Sequence, residues 1–419
     1  MTATGEELYQ QREQRFNDIV ALKKPDHVPV IAHTIHYFAD KVKGFSQREA
    51  GYNHKQHYDA IKDVTVEFGW ELVPTNALFA ADGYQALGTT QLRWPGGDLP
   101  DDVGFQFVED EYMLAEEYDE FLADPNGFTL TKIFPRIASN LAGFGQVPIP
   151  PLFWMANTYY LLNVGGAILG APPLRKAIES LLAMSDAVGA YFAADAANAQ
   201  EMAALGYPRT WGAPIVCAFD MVSDMFRSLR GSTLDMYRHP DKLLATIDLM
   251  QQAQAGLARM TMQITGNPRV FIPMHRGADG FMSEEDFKKF YWPTFKDLIE
   301  ALIAAGLTPM PLFEGGYTSR LKYLAELPPG KVAAHFDHID RKKFKEMCGD
   351  VMCFWGNVPA SLLCTGTPQQ VKDDVKELID LFGDTGALMI DGNQGIPDEA
   401  RPENVHALRE AVEEYGVFT

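Results

Sequence analysis

The reactive side chains of this 419-residue chain are ten histidines and a large excess of carboxylates. Five histidines stand at or just after short apolar runs. His33 and His36 follow VPVIA, His275 follows RVFIPM, and His335 and His338 lie in AAHFDH with Asp337 between them. Carboxylates and amides hold equivalent places. Asp220 ends APIVCAFD, Glu314 follows TPMPLF, Asn357 follows VMCFWG, and Asp391, Asn393 and Gln394 follow ALMI; Asn76 and Asp82 mark a further run near residues 71–83. Imidazole and carboxylate groups gathered in one cup suit either metal binding or proton transfer. The sequence has no Gly-x-Ser-x-Gly elbow, no His-Glu-x-x-His helix and no P-loop. Serine nucleophilic chemistry, zincin-type hydrolysis and nucleotide phosphate transfer therefore lack their signals.

Eight strand-like runs must position these groups: 28–32, 71–83, 213–220, 269–277, 308–316, 331–338, 351–357 and 387–393. In the second half they alternate with helices that carry clear punctuation. Ser283 heads SEEDFKKFYWPTFKDLIEALIAAG as a Ser-x-x-Asp cap, and Pro293 inside that text predicts a kink or restart. Thr367-Pro-Gln-Gln370 supplies an N-cap, a proline at the first helical position and Gln at the third. Eight strands separated by helices predict an α/β fold, a (β/α)8 TIM barrel. No Gly-x-Gly-x-x-Gly follows the first run, which disfavours a doubly wound dinucleotide fold. Residues 95–205 read differently, with WPGGDLPDDVGFQF followed by Ala- and Leu-rich helical text from about 173 to 205. This predicts one barrel domain over 1–419, with a large helical excursion at about 95–205. In a barrel the polar groups at strand carboxyl ends form the active site.

Composition narrows the partners. Lys and Arg number 36 against 56 Asp and Glu, a formal charge of −20, so nucleic acid and anionic membrane are not expected partners. The four cysteines, Cys217, Cys348, Cys353 and Cys364, form no Cys-x-x-Cys pair and predict reduced thiols in a cytoplasmic protein. No apolar run of about twenty residues is present, so no membrane span is expected. A homodimer is compatible with this profile.

GNVPASLLCTGTPQQVKDDVKELID (356–380), IPDEARPENVHALREAVEEYG (396–416) and the opening LKKPDHVPV (22–30) resemble the uroporphyrinogen decarboxylase-like superfamily, which includes corrinoid-dependent methyltransferases. The decarboxylase branch grips a poly-carboxylate substrate with an Arg-rich stretch after its first strand. Here that stretch reads AHTIHYFADK, without arginine. The thiol-methylating branch binds zinc through cysteines, where this chain has Glu314 and Gln394. The ether-cleaving methyltransferases of O-demethylase systems are more similar. Part of their zinc motif is Glu, twenty intervening residues, then His, the spacing of Glu314 and His335. The motif's earlier Glu has no counterpart at the right spacing. His338, Asp337 or His275 could complete the shell.

The resemblance implies a methyltransferase moving a methyl group from a small, methoxy-type compound to a corrinoid (cobalamin) on a separate carrier protein, with zinc as Lewis acid. Glu314, His335 and His338 are the expected metal ligands, and His335, Glu314 and Asp391 the expected catalytic groups. His33, His36, Asp220, His275, Asn357, Asn393 and Gln394 are the expected substrate contacts. The alternatives are a cofactor-free decarboxylase or lyase using His and Asp, and a non-catalytic binding protein. Each residue also has a plainer reading: Glu314 as a helix cap, His335 as a core histidine bonded to a backbone carbonyl. His54 and His57 are expected on a solvated surface.

Overall fold

A computed structural model of the chain describes residues 3–33, 37–75 and 80–418. A small antiparallel hairpin, β1 (Leu92–Arg93) with β2 (Gln106–Phe107), lies in the excursion. The main sheet is parallel and ordered as in the sequence: β3 (Ala213–Pro214), β4 (Arg269–Met274), β5 (Thr308–Gly316), β6 (Ala333–His338), β7 (Cys353–Trp355) and β8 (Leu388–Met389).

Two further segments close the sheet into a barrel. Ile31 N–H donates to the Ile390 carbonyl and Ile390 N–H to Pro29, joining residues 28–32 to the last strand. Glu71 N–H donates to Val30, Val73 N–H to Pro208 and Thr210 N–H to Val73, which carries the ladder round to β3. The (β/α)8 expectation holds. These two segments register as isolated parallel bridges, Val30 to Ile390 and Val73 to Arg209, because each pairs over only a few residues.

Alternation along the strands divides the core. Phe271, Met310, Leu312, Cys353, Trp355 and Met389 fill the barrel interior, and Phe16, Ile19 and Val20 of the helix Gly5–Val20 join the same cluster. Their neighbours Val270, Ile272, Phe313, Phe336 and Phe354 belong to a larger cluster that also holds Phe295, Leu298 and Val375 of the flanking helices. Burial of this apolar surface is the main source of stability.

The helix signals are realised. Thr367 makes a full capping box with Gln370 at the head of Pro368–Phe382. Ser283 caps through Asp286 N–H; the helix then passes through a π turn, Phe287–Tyr291, and restarts at Trp292–Ala304 with Pro293 in its first turn. The excursion's dominant element is the 33-residue helix Pro172–Ala204.

Candidate active site

β3 leads into the short helix Ala218–Met221 and a π turn, Val222–Arg227. Helical spacing puts Asp220, Ser223 and Asp224 on one side, and that side meets the carboxyl end of β4. Asp220 is fully buried and accepts the N–H groups of His275 (3.0 Å) and Arg276 (2.9 Å) and the Tyr291 hydroxyl (2.6 Å). Burial raises its carboxyl to about 6, against the favourable His275 charge and Tyr291 bond.

His275 follows β4 and is held at both ring nitrogens. Nδ1 lies 2.5 Å from Asp224 Oδ2, and Nε2 lies 3.4 Å from Glu314 Oε1. Burial opposes its charge, but the bonds to Asp224 and Glu314 and the Asp220 charge outweigh this and raise the imidazole to about 11. His275 is therefore an imidazolium at neutral pH. Arg276 donates to Ser223 Oγ (2.9 Å) and Asp224 Oδ1 (2.8 Å). Among the described residues the buried Tyr317 hydroxyl has no hydrogen-bond partner, and burial pushes it well above its ordinary range.

A second group adjoins the first through Gly315. Asp337 accepts from Gly315 N–H (3.0 Å), Asn393 Nδ2 (2.5 Å) and Gln394 Nε2 (2.8 Å). Asn357 donates to the Asp337 carbonyl and accepts from Arg341 Nε. Arg341 is in turn paired with Asp374. Of the amides expected to touch substrate, Asn393 and Gln394 hold the Asp337 carboxylate and Asn357 holds its backbone carbonyl.

The structure separates the expected metal ligands. Leu312, not Glu314, pairs with His335. Glu314 thus stands two residues, about 6.6 Å, nearer the mouth. His335 is buried in the interior, stacked on Trp355 at 4.5 Å between ring centroids. Its Nε2–H donates to the Gly392 carbonyl at 2.8 Å, and among the described residues its Nδ1 has no hydrogen-bond partner. Burial lowers it to about 4, so it is neutral at pH 7. Gly356 makes room for the ring: a Cβ there would sit 2.8 Å from His335 Cδ2. The His338 side chain is 75% exposed and leans on Asp337. Among the described residues no three His, Cys, Asp or Glu side chains converge on a metal position, so Glu314, His335 and His338 do not fit one ion. Glu314, 35% exposed, faces His275 instead.

Asp391 is buried and receives His33 N–H and Gly392 N–H, both at 2.8 Å; burial raises its carboxyl well above the ordinary range. It is a structural clasp between the first and last strand segments. The His33 ring lies 4.8 Å from Phe271 and edge-on to His335. His36 and Asn76 fall outside the described residues. His57 is not a surface residue: it is buried, with Nδ1 2.7 Å from the buried Asp40. Asp224, Tyr291 and Tyr317 were not singled out by the sequence. The first was legible, because Asp220 and Asp224 are four apart at the head of a helix. A hollow of about 330 Å³ opens at the other end of the barrel near Arg12, His27 and Glu71. Those charges pair with one another, and in this architecture the strand amino ends carry stability while the carboxyl ends carry chemistry.

The profile described as Uroporphyrinogen decarboxylase (URO-D) matches residues 206–415, half of the chain and every strand of the main sheet. The chain belongs to the uroporphyrinogen decarboxylase family. A solved structure, a methyltransferase from Methanosarcina mazei, superposes on this family member with a TM-score of 0.61. The match covers 96% of this chain and 98% of that one at 16% identity, a likeness of fold. No curated protein matches the sequence.

Proposed function

We propose that this family member is a methyltransferase that moves a methyl group from a small methoxy compound to a reduced corrinoid on a separate protein. The observation that carries the reading is the His275 imidazolium, held between Asp224 and Glu314 at the barrel mouth. A methyl ether is inert because alkoxide and phenoxide are poor leaving groups. Transfer breaks the carbon–oxygen bond, with the methyl passing to the corrinoid and the bonding electrons staying on oxygen. His275 can then give that oxygen its Nε2 proton, and Asp224 steadies the ring through Nδ1. An acid near 11 lies within about one unit of a phenol-like oxygen near 10, so His275 steadies the developing charge through its Nε2–H and passes the proton fully to a more basic alkoxide. Glu314 holds the ring's outer nitrogen toward the mouth, and Asp220 fixes the backbone of His275 and Arg276 beneath it. The corrinoid supplies the nucleophile, and this chain supplies position and the proton. No step here runs through zinc, because the donors the resemblance implies do not converge.

The alternative, a cofactor-free decarboxylase or lyase, would use the same acid. It needs a cation to grip a carboxylate, and the cation beside His275, Arg276, is already bound to Asp224 and Ser223. Incubation with cobalt(I) cobalamin and a panel of methoxyarenes tests the reading. Methylated corrinoid and free phenol in equal amounts are expected. Carbon dioxide release from carboxylated analogues without corrinoid would favour the alternative.

A further inference from the structure

The π turn that carries Asp224 is held from outside the barrel. It ends at Ser228, whose φ of +61° and ψ of 168° lie in a region that only glycine occupies at low cost. Another residue stays there only where its surroundings over-determine the backbone. Here much of that restraint comes from one short stretch of the excursion, residues 109–113. Met113 N–H donates to the Phe226 carbonyl at 2.8 Å. The buried Arg227 donates through Nη1 to the Met113 carbonyl and to Glu111 Oε2, the latter at 2.8 Å. Leu229 N–H donates to Glu109 Oε1 at 2.5 Å. The excursion therefore grips the chain on both sides of Ser228. Arg227 is further paired through Nε with the buried Asp235 at 2.6 Å, and Asp235 accepts the Tyr118 hydroxyl, also from the excursion, at 2.7 Å.

We propose that Glu109 and Glu111 are positioning residues that hold Asp224 against His275. Asp224 sits in the gripped turn and reaches His275 Nδ1 at 2.5 Å and Arg276 Nη2 at 2.8 Å. A backbone freed to relax at Ser228 would carry this carboxylate with it, and hydrogen bonds of that length weaken steeply when their geometry is lost. Neither glutamate touches His275; each acts through the turn. The excursion is thus part of the site, because it fixes the carboxylate that fixes the ring. The inference rests on the proposed role of His275, and its test needs no substrate.

NMR of the full chain with isotope-labelled histidine reads the solvent-exchange rate of the His275 Nδ1 proton, assigned by its loss in His275→Gln. Two double variants remove the same two charges. Glu109→Ala/Glu111→Ala also removes both acceptors, whereas Glu109→Gln/Glu111→Gln keeps them. The alanine pair should speed exchange at least about tenfold through local opening of the turn, and the glutamine pair should stay within about twofold of the wild type. Adding Ser228→Gly to the alanine pair lets the backbone keep its conformation without restraint and should recover most of the protection. Should the alanine pair fail to fold, Glu109→Ala and Glu111→Ala decide singly, and each should speed exchange. An alanine pair that exchanges like the wild type, or a glutamine pair accelerated as much as the alanine pair, would overturn the proposal. A wild type without a protected Nδ1 proton would overturn the His275 reading and this inference with it. Absence of methyl transfer in a chain with the expected exchange pattern would count against the reaction and support the positioning.

Discussion

His275 Nε2 and Glu314 Oε1 face each other across neighbouring strands at 3.4 Å, with Asp224 closing on the other ring nitrogen. The pairing gives the barrel mouth a proton donor whose charge is fixed by two carboxylates. It also accounts for Glu314 without His335.

The carboxylate that most directly fixes the His275 proton is Asp224. Asp224→Asn removes the shorter of the two ring contacts and one of the negative charges, so the imidazole should fall from about 11 toward its ordinary range. Titration of the His275 ring by NMR should show this. In the wild type the ring stays protonated from neutral pH to well above 9, and activity limited by this acid declines only as pH rises through about 11. An unchanged ring titration in the variant would contradict the assignment.

His335 makes the fold acid-sensitive. Its folded value of about 4 lies below the unfolded 6.5, so the unfolded chain binds the extra proton. Stability is intact above about pH 6.5 and is lost as pH falls from there to about 4, by up to about 3 kcal/mol from this residue. His335→Gln keeps a donor for the Gly392 carbonyl and cannot ionise. Its melting temperature should fall less steeply over that window than the wild type's, and equal slopes would refute the account.

Gly356 is required by the same packing. With φ +95° and a Cβ that would meet His335 at 2.8 Å, Gly356→Ala should destabilise by about 2–4 kcal/mol in urea denaturation. Gly256→Ala in the helix Pro240–Thr265, where a Cβ meets open space, is the control and should be neutral or stabilising.

Asp337 joins three strand ends. Asp337→Ala leaves the Gly315, Asn393 and Gln394 donors without their carboxylate and should cost about 2–4 kcal/mol. Asp337→Asn keeps an acceptor and should cost less. A variant with unchanged stability would show that these bonds are replaced by water.

The barrel was legible because its signals are local. Apolar runs, proline-headed helices and the Thr367 capping box each depend on neighbours in the chain. The site was legible only in outline, since strand-end position identified Asp220, His275 and Glu314 but not how they combine. Motif spacing joined Glu314 to His335, whereas register sets them two residues apart, and register depends on long-range pairing that spacing does not encode. His335 followed its plainer reading, a core histidine bonded to a carbonyl. His57 was misplaced on the surface because its partner, Asp40, lies seventeen residues earlier in the chain.

The proposed role of His275 is to donate its Nε2–H to the departing oxygen. It is tested most directly by single-turnover demethylation with cobalt(I) corrinoid, wild type against His275→Gln, across methoxyarenes of graded phenol acidity. The account predicts a deficit of about 10²–10⁴-fold for anisole-like substrates that shrinks toward none for a nitrophenyl methyl ether, whose phenoxide leaves without help. A deficit of the same size for every leaving group, or none for anisole, would contradict it.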